Sequence, residues 1–430
     1  MKASARAVAF DVVRRVVDEG AYSTRALPAA LARSSLDERD RGLTTELTYG
    51  TLRHVPWLDA AIGGYAARPI ARMTPGARAA LRLGAYQLLH TRIPAHAAVS
   101  ETVGLVVPRE RGFVNAILRK LSRELPTPPE GGDDRSIALR TGLSAWGVAE
   151  LRKLLPADEV ERAALAFGER GPLTLRVNTC RSTVEDVEQR LLDAGLDPVR
   201  GGAHRECLLL SGGDPTSLPG WKEGAFAVQD QASAFVVDAL APEPGDRVLD
   251  ICAAPGGKTA FVACRVGDDG RVVAGDLHAD RAAMIPPALR RLGVSAAVLA
   301  QDATRPAVVG PFDRVLVDAP CSGIGSARRR PELLWRGKRD ELSRLARLQV
   351  AIAAAAAGLL RPGGRLVYSV CTFPRAETDA ACDAILRHRP GLRPIETPGP
   401  GDGMSVLRHR LWPHRDGTDG MFVAAFESSG

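Results

Sequence analysis

Lysine is scarce in this chain of 430 residues: only six of its 57 basic side chains are Lys, at positions 2, 120, 153, 222, 258 and 338. Arginine supplies the rest and Ala is abundant, so a single arginine carries little information and a lysine carries more. Long apolar runs are missing as well. The most Ala-rich stretch, Val350 to Leu360, stops at Arg361-Pro362-Gly363-Gly364. That is short of the roughly 18 residues a helix needs to span a bilayer, which argues against membrane insertion. The opening residues, Met1 to Arg6, run into Asp11, Arg14, Arg15 and Asp18 and lack the apolar core of a signal peptide. Seven cysteines, odd in number and scattered, do not form a disulfide framework, so reduced thiols in a cytoplasmic protein are expected. No His and Cys cluster has zinc spacing, and no catalytic metal is expected. The chain also lacks internal repeats and long low-complexity tracts.

What remains is a composition of 45% hydrophobic and 25% charged residues, that of a soluble globular protein long enough for two or three domains. The net charge of +7 is unevenly spread. Residues 1–125 carry 19 Lys and Arg against 11 Asp and Glu, whereas the rest carries 38 against 39. A basic segment beside a near-neutral one suggests a nucleic-acid-binding module joined to a catalytic one, with a plain solvated surface as the alternative.

Residues 1–125 read as an all-α bundle. Val8, Val12, Val13 and Val16 recur at helical spacing, as do Leu43 and Leu47, then Leu81, Tyr86, Leu88 and Leu89. Pro and Gly punctuate these runs at Gly50, Pro56, Pro75-Gly76 and Pro94. Leu125 to Asp134, rich in Pro and Gly, reads as a linker. Residues 135–220 read as a small α+β connector, with strands at Leu173 to Asn178 and Cys207 to Leu210. From 221 to 430 the pattern alternates between strand and helix. Strands are expected at Arg247 to Ile251, Arg271 to Gly275, Ala296 to Leu299, Phe312 to Asp318 and Arg365 to Ser369, which implies a parallel sheet of Rossmann-like α/β type. A terminal strand is expected at Met421 to Phe426.

Two cysteines follow the last two of those inner strands: Cys321, in Asp318-Ala319-Pro320-Cys321-Ser322-Gly323, and Cys371, in Tyr368-Ser369-Val370-Cys371-Thr372. The carboxyl ends of strands are where ligands and chemistry sit in an open α/β sheet. After the first strand comes the glycine turn Asp250-Ile251-Cys252-Ala253-Ala254-Pro255-Gly256-Gly257-Lys258-Thr259. Such a turn lets a ligand approach the N–H groups of a helix N-terminus. Cys252 stands where a nucleotide-phosphate loop requires Gly, and the dinucleotide spacing fails too, which weakens both nucleotide-phosphate readings. Asp250, Asp276, Asp302 and Asp318 follow four successive strands. Asp276 is placed for ribose hydroxyls and Asp302 for an adenine amino group, a set that suits S-adenosylmethionine. Taken singly, each is a helix-cap or loop residue.

With these strings in order, the chain resembles the Sun/RsmB group of RNA (cytosine-5) methyltransferases, the NOL/NOP/Sun family. The likeness extends to Arg176-Val177-Asn178-Thr179, Val228-Gln229-Asp230 and Asp419-Gly420-Met421-Phe422. The N-terminal third is similar to a NusB-like RNA-binding domain at Tyr49-Gly50-Thr51-Leu52-Arg53, Leu83 to Leu89 and Gly112 to Arg119. The resemblance implies three parts: a NusB-like bundle over 1–125, the connector over 135–220 and the methyltransferase domain over 221–430. It implies S-adenosylmethionine bound by Cys252, Ala253, Ala254, Pro255, Gly256, Gly257 and Lys258, with Asp276, Arg281, Asp302 and Asp318. It further implies Cys371 as the nucleophile, Cys321 as the residue that releases the product, Asp318 at the base's amino edge and Lys258 paired with it.

The substrate so implied is small-subunit ribosomal RNA, bound by a monomer. A different acceptor, such as transfer RNA or a protein side chain, is one rival reading, and an RNA-binding assembly factor without catalysis is another. Two departures stand out. Val370 replaces the Thr usual before the nucleophile, and Glu377-Thr378-Asp379 stands where Glu-Asn-Glu is usual. Arg328-Arg329-Arg330 reads equally as a phosphate contact and as a solvated patch.

Overall fold

The computed structural model describes residues 4–401 and 403–429, so the expectation for Met1 to Ala3 lies outside the described residues. The chain divides into two compact units: one takes residues up to Glu169 together with Ala327–Gly337, and the other takes Arg170–Ser326 with the chain from Lys338 onward.

The first unit is helical, as its 3.6-residue periodicity dictates. Its first helix, Ala5–Asp18, is capped by Ser4, whose Oγ accepts from the Ala7 N–H at 3.2 Å, and buries Val12, Val13 and Val16. The helices Glu38–Arg53, Val55–Gly63, Pro75–His90 and Pro108–Arg123 follow with others between them, and Leu47, Leu58, Ile62, Leu81, Leu83 and Leu118 form a core closed to solvent. Three more helices, Asp134–Thr141, Ala145–Arg152 and Ala157–Gly168, carry the unit well past residue 125.

The segment Ala327–Gly337, which comes directly after the Cys321 motif, is built into this helical unit. Glu332 is fully buried, and its carboxylate accepts from the Ser23 N–H at 3.0 Å and the Ser23 hydroxyl at 2.7 Å, at the start of the helix Ser23–Ala32. Trp335 donates its indole N–H to the Leu52 carbonyl at 2.8 Å, and Arg336 donates to the Ala21 carbonyl at 2.9 Å. Of the three consecutive arginines, Arg328 is buried and Arg329 and Arg330 are half-buried, which corrects the reading of a solvated patch.

The second unit holds two sheets. The smaller is antiparallel, in the order β2-β3-β1-β4, from β1 (Leu173–Val177), β2 (Val199–Arg200), β3 (Cys207–Leu210) and β4 (Phe226–Val228). The larger has eight strands: β5 (Arg247–Asp250), β6 (Arg271–Asp276), β7 (Ala297–Ala300), β8 (Phe312–Asp318), β9 (Leu360–Val370), β10 (Leu392–Ile395), β11 (Arg408–Leu411) and β12 (Met421–Ser428). Their order is β10-β12-β9-β8-β5-β6-β7, with β11 also on β12. The inner pairs are parallel, while β12 runs antiparallel to β9, β10 and β11. The expected parallel sheet is therefore mixed, because β12 follows β11 after only the four-residue helix Pro413–Asp416, too short for a crossover, and so runs against its neighbours. Four strands were not anticipated, β2, β4, β10 and β11, each only two to four residues long.

The expectation of reduced thiols throughout is also corrected, since Cys180 and Cys264 are joined by a disulfide across Cα atoms 5.8 Å apart. The bond links the residue just beyond β1 to the helix Gly257–Val266, and 84 positions of separation hide it from any spacing rule. Among the described residues no helix is long and apolar enough to cross a membrane.

The Glu332 contact generates a test. Glu332→Ala leaves two donors of Ser23 in a buried site without acceptors, a loss of about 1–3 kcal/mol. The melting temperature of the full chain should fall accordingly, and an unchanged value would show that the segment is not anchored there.

Candidate active site

The chain leaves β5 in one direction, to β6 and β7, then returns to the other side for β8 and β9. This reversal at β5 is a topological switch point, and crevices form outside the carboxyl ends of strands there. Five adjacent parallel strands thus deliver Cys371, Asp318, Asp250, Asp276 and Asp302 to one edge.

Asp318 and Ser369 are register partners at the ends of β8 and β9. The Ser369 hydroxyl donates to Asp318 Oδ1 at 2.8 Å, and Lys258 Nζ donates to Asp318 Oδ2 at 2.8 Å. Burial would lower the Lys258 ammonium, but Asp318, with Cys371 and Asp250 adding to it, outweighs burial and the net direction is upward. The lysine is therefore a held positive charge. Just beyond the strands, Cys321 Sγ and Cys371 Sγ are 3.4 Å apart. The hydrogen bond to Cys371, then burial and the charges of Cys371, Glu377 and Asp318, push the Cys321 thiol well above its ordinary range. Either sulfur can donate the hydrogen bond between them.

The close approach of the loops depends on Gly325. Its N–H donates to the Cys371 carbonyl at 3.0 Å, and its carbonyl accepts from Gly420 N–H at 2.8 Å. A Cβ there would lie 2.1 Å from the Gly420 carbonyl oxygen and 2.8 Å from that of Cys371, so no other residue fits. Val370 is fully buried in the apolar core.

The glycine turn follows β5. Ala253 N–H donates to the Gly275 carbonyl at 2.8 Å, which ties the turn to β6. Gly256 caps the helix Gly257–Val266 at φ +102°, a conformation that side chains disfavour. Asp276 Oδ2 accepts from Ala254 N–H at 3.3 Å, while Arg281 donates to both Asp276 oxygens, at 3.1 and 3.3 Å, and to the Ala254 carbonyl at 3.3 Å. The structure therefore brings Ala253, Ala254, Pro255, Gly256, Gly257, Asp276 and Arg281 together around one turn. Cys252 packs against the apolar core, and burial pushes its thiol up.

Asp250 is fully buried. Its Oδ2 accepts from the Thr259 hydroxyl at 2.7 Å, its Oδ1 has no partner, and burial, opposed by that hydrogen bond, pushes its carboxyl up to about 7. Asp302 lies beyond β7 at the same edge of the sheet. It is exposed and accepts from the N–H and hydroxyl of Thr304, at 2.9 and 2.7 Å, which hold its carboxyl below the usual range.

Residues the sequence reading did not select sit beside these. Gln301, just before Asp302, donates its N–H to the Asp276 carbonyl at 2.9 Å and has a buried Nε2 without a partner. Ser369 and Glu377 were visible only as neighbours of the nucleophile motif.

With this geometry in hand, comparison with known proteins is decisive. The 16S rRNA methyltransferase RsmB/F family profile matches residues 237–427, the NusB family profile residues 3–123, and the RsmF/B-like ferredoxin-like domain residues 143–216. A Mycobacterium tuberculosis protein that carries the name "Putative methyltransferase Rv1407" is 38% identical, covering 98% of this chain and 96% of its own. Ribosomal RNA small subunit methyltransferase B of Vibrio vulnificus is 34% identical over 97% of this chain and 98% of its own. The chain belongs to the RsmB/F methyltransferase family. Among solved structures, PH0851 is 25% identical with a TM-score of 0.85, and each chain is fully covered.

As an RsmB/F methyltransferase the chain uses S-adenosylmethionine, and the residues present fit it. Asp250 Oδ1, at the end of β5, and Gln301 Nε2, just beyond β7, are buried polar atoms without partners, one an acceptor and one a donor, and the turn after Asp250 carries Gly256 in a conformation that side chains disfavour. A cofactor with cationic and hydrogen-bonding groups matches that donor set.

The raised Asp250 carboxyl also sets a pH dependence. Its folded value of about 7 lies above the roughly 3.9 of a free Asp, so the folded state binds the extra proton between those values. The associated stability is complete below the free value and is lost as pH rises through about 7, a change on the order of 4 kcal/mol. Unfolding measured without ligand should show stability falling from pH 5 to 8, and Asp250→Asn should flatten that fall. The same fall in the variant would assign it to other groups.

Proposed function

We propose that this enzyme transfers a methyl group from S-adenosylmethionine to carbon 5 of a cytosine in small-subunit ribosomal RNA through a covalent cysteine adduct. The observation that carries the reading is the pair of thiols 3.4 Å apart beside the Lys258–Asp318 ion pair. Direct transfer to nitrogen or oxygen needs no thiol, whereas carbon 5 of cytosine is too weak a nucleophile until something adds to carbon 6. The ribosomal substrate is supported by the relative in Vibrio vulnificus, named a ribosomal RNA small subunit methyltransferase, and by the basic excess of residues 1–125.

Cys371 is assigned the attack. Lys258, which is electrostatically coupled to Cys371, favours its thiolate, and Cys321 is assigned as the hydrogen-bond donor to that sulfur 3.4 Å away. The thiolate adds to carbon 6, and the electrons of the carbon 5–carbon 6 double bond move to carbon 5. Asp318, fixed by Ser369 and Lys258, holds the amino edge of the base. When bound, S-adenosylmethionine supplies an electrophilic methyl group. The turn Cys252 to Lys258, with Asp250, Asp276, Arg281, Asp302 and Gln301, is assigned to hold it. Release requires loss of the carbon 5 proton and cleavage of the bond from carbon 6 to Cys371, and Cys321 is assigned this step. The hydrogen bond and charge that keep the proton on Cys321 vanish once Cys371 is bonded to the base, so its thiol acidifies when a base is needed. The cytosine must leave its stack to reach this edge, which favours an unpaired target.

The two variants are expected to differ in kind. Cys371→Ala should abolish methylation without trapping RNA, and Cys321→Ala should accumulate a protein–RNA adduct that survives denaturing gels. No adduct in the second variant would contradict the division of roles. Bisulfite sequencing of small-subunit RNA from cells with and without the gene should reveal one cytosine that loses protection. Unchanged profiles would favour transfer RNA or an assembly role.

A further inference from the structure

Behind the two cysteine loops lies a buried polar cluster that the reaction above does not use. The carboxylate of Glu377 is wholly closed to solvent. Its Oε1 accepts from the Ser322 N–H at 2.9 Å and from Gln349 Nε2 at 2.9 Å. Its Oε2 accepts from the Ser322 hydroxyl at 2.5 Å, and that hydroxyl shares a further hydrogen bond with Thr372 Oγ1 at 2.6 Å. Gln349 also donates to the Pro320 carbonyl at 3.0 Å, while the Tyr368 hydroxyl donates to the Glu377 carbonyl at 2.7 Å.

The residues on both sides of Cys321, Pro320 and Ser322, are thus held by one cluster, and so is Thr372, next to Cys371. Neither thiol is itself bonded to Glu377. Burying a carboxylate is costly unless its acceptors are filled, and four donors fill these: the Ser322 N–H and hydroxyl, Gln349 Nε2 and, at 3.5 Å, the Thr372 hydroxyl. The bonds converge on the one distance that matters to the pair, that between the sulfurs.

We propose that Glu377 is a positioning residue that clamps Ser322 to Thr372 and thereby keeps the Cys321 S–H within hydrogen-bonding reach of the Cys371 sulfur. The proposal rests on the two-cysteine reading above and deepens it. Loss of the clamp lets the Cys321 loop drift. Cys371 then loses a donor that stabilises its thiolate, and Cys321 is no longer placed for release.

The test is the pH profile of alkylation of Cys371 by iodoacetamide, followed on the peptide that bears it by mass spectrometry, in the full chain without RNA. In Glu377→Ala the midpoint should move up by about one pH unit, which is about tenfold slower alkylation at neutral pH. The same variant should also accumulate the denaturant-stable RNA adduct. Glu377→Gln keeps a carbonyl for Ser322 N–H and Gln349, and an amide to which the Ser322 hydroxyl turns its acceptor side. It should restore the wild-type midpoint. A merely structural glutamate would lower the melting temperature without moving that midpoint.

If Glu377→Ala does not fold, Ser322→Ala takes its place, since it removes the hydroxyl whose two short bonds join Glu377 to Thr372, leaves only their direct contact at 3.5 Å, and should move the midpoint in the same direction. An unmoved midpoint in the folded variant, or Gln shifted as far as Ala, would overturn the proposal. Cys321→Ala serves as the control. An adduct there with an unmoved Glu377→Ala midpoint removes only the role of Glu377, while no adduct there removes the underlying reading.

Discussion

Parallel pairing of Asp318 with Ser369 across β8 and β9 fixes where both cysteine loops begin, and most of the site depends on it. A slip of one residue would turn the side chains of one strand to the opposite face of the sheet, separating the Ser369 hydroxyl from Asp318 and one thiol from the other. Two features lock the register. Val315, Val317, Leu366 and Tyr368 are buried in one apolar core, and Gly325 joins the two loops at a separation that permits no side chain. Chemistry at the edge is thus a consequence of packing beneath it.

Charge then differentiates two otherwise similar thiols. Lys258 lies on the Asp318 side and feels Cys371, whereas Cys321 faces the carboxylates of Glu377 and Asp318. The two sulfurs therefore sit in different electrostatic surroundings. The identity of residue 258 matters here. A compact ammonium reaches Asp318 Oδ2 as a point charge, where the broader planar fork of Arg would demand a second acceptor. In a chain so poor in lysine, its presence at this position was the clearest compositional signal of a specific role.

Much of this edge was legible in the residues because its parts are local. Strand, turn and glycine follow one another within Asp250 to Thr259, and each cysteine lies within three residues of a strand end. Features set by distant contacts were not legible. β9 begins at Leu360 and continues through Pro362-Gly363-Gly364, which locally reads as a break; the pairing of Phe312 with Leu360 carries the strand across it. The membership of Ala327–Gly337 in the helical unit rests on Glu332 meeting Ser23, 309 positions away. Gln301, buried beside the candidate Asp302, was not selected, since nothing local shows that it reaches β6. Glu377 was noted only as part of a departing motif, since nothing local reveals that it meets Ser322 and Gln349.

The account's central claim is that the thiol at the tip of β9 attacks the base and the thiol beyond β8 does not. The most direct measurement offers the enzyme, with S-adenosylmethionine, a target RNA carrying 5-fluorocytosine. Fluorine cannot leave as the carbon 5 proton does, so an adduct that forms persists and can be mapped by mass spectrometry. The account predicts a crosslink on the peptide that contains Cys371. A crosslink on Cys321, or none on either cysteine while unmodified RNA is methylated, would contradict it.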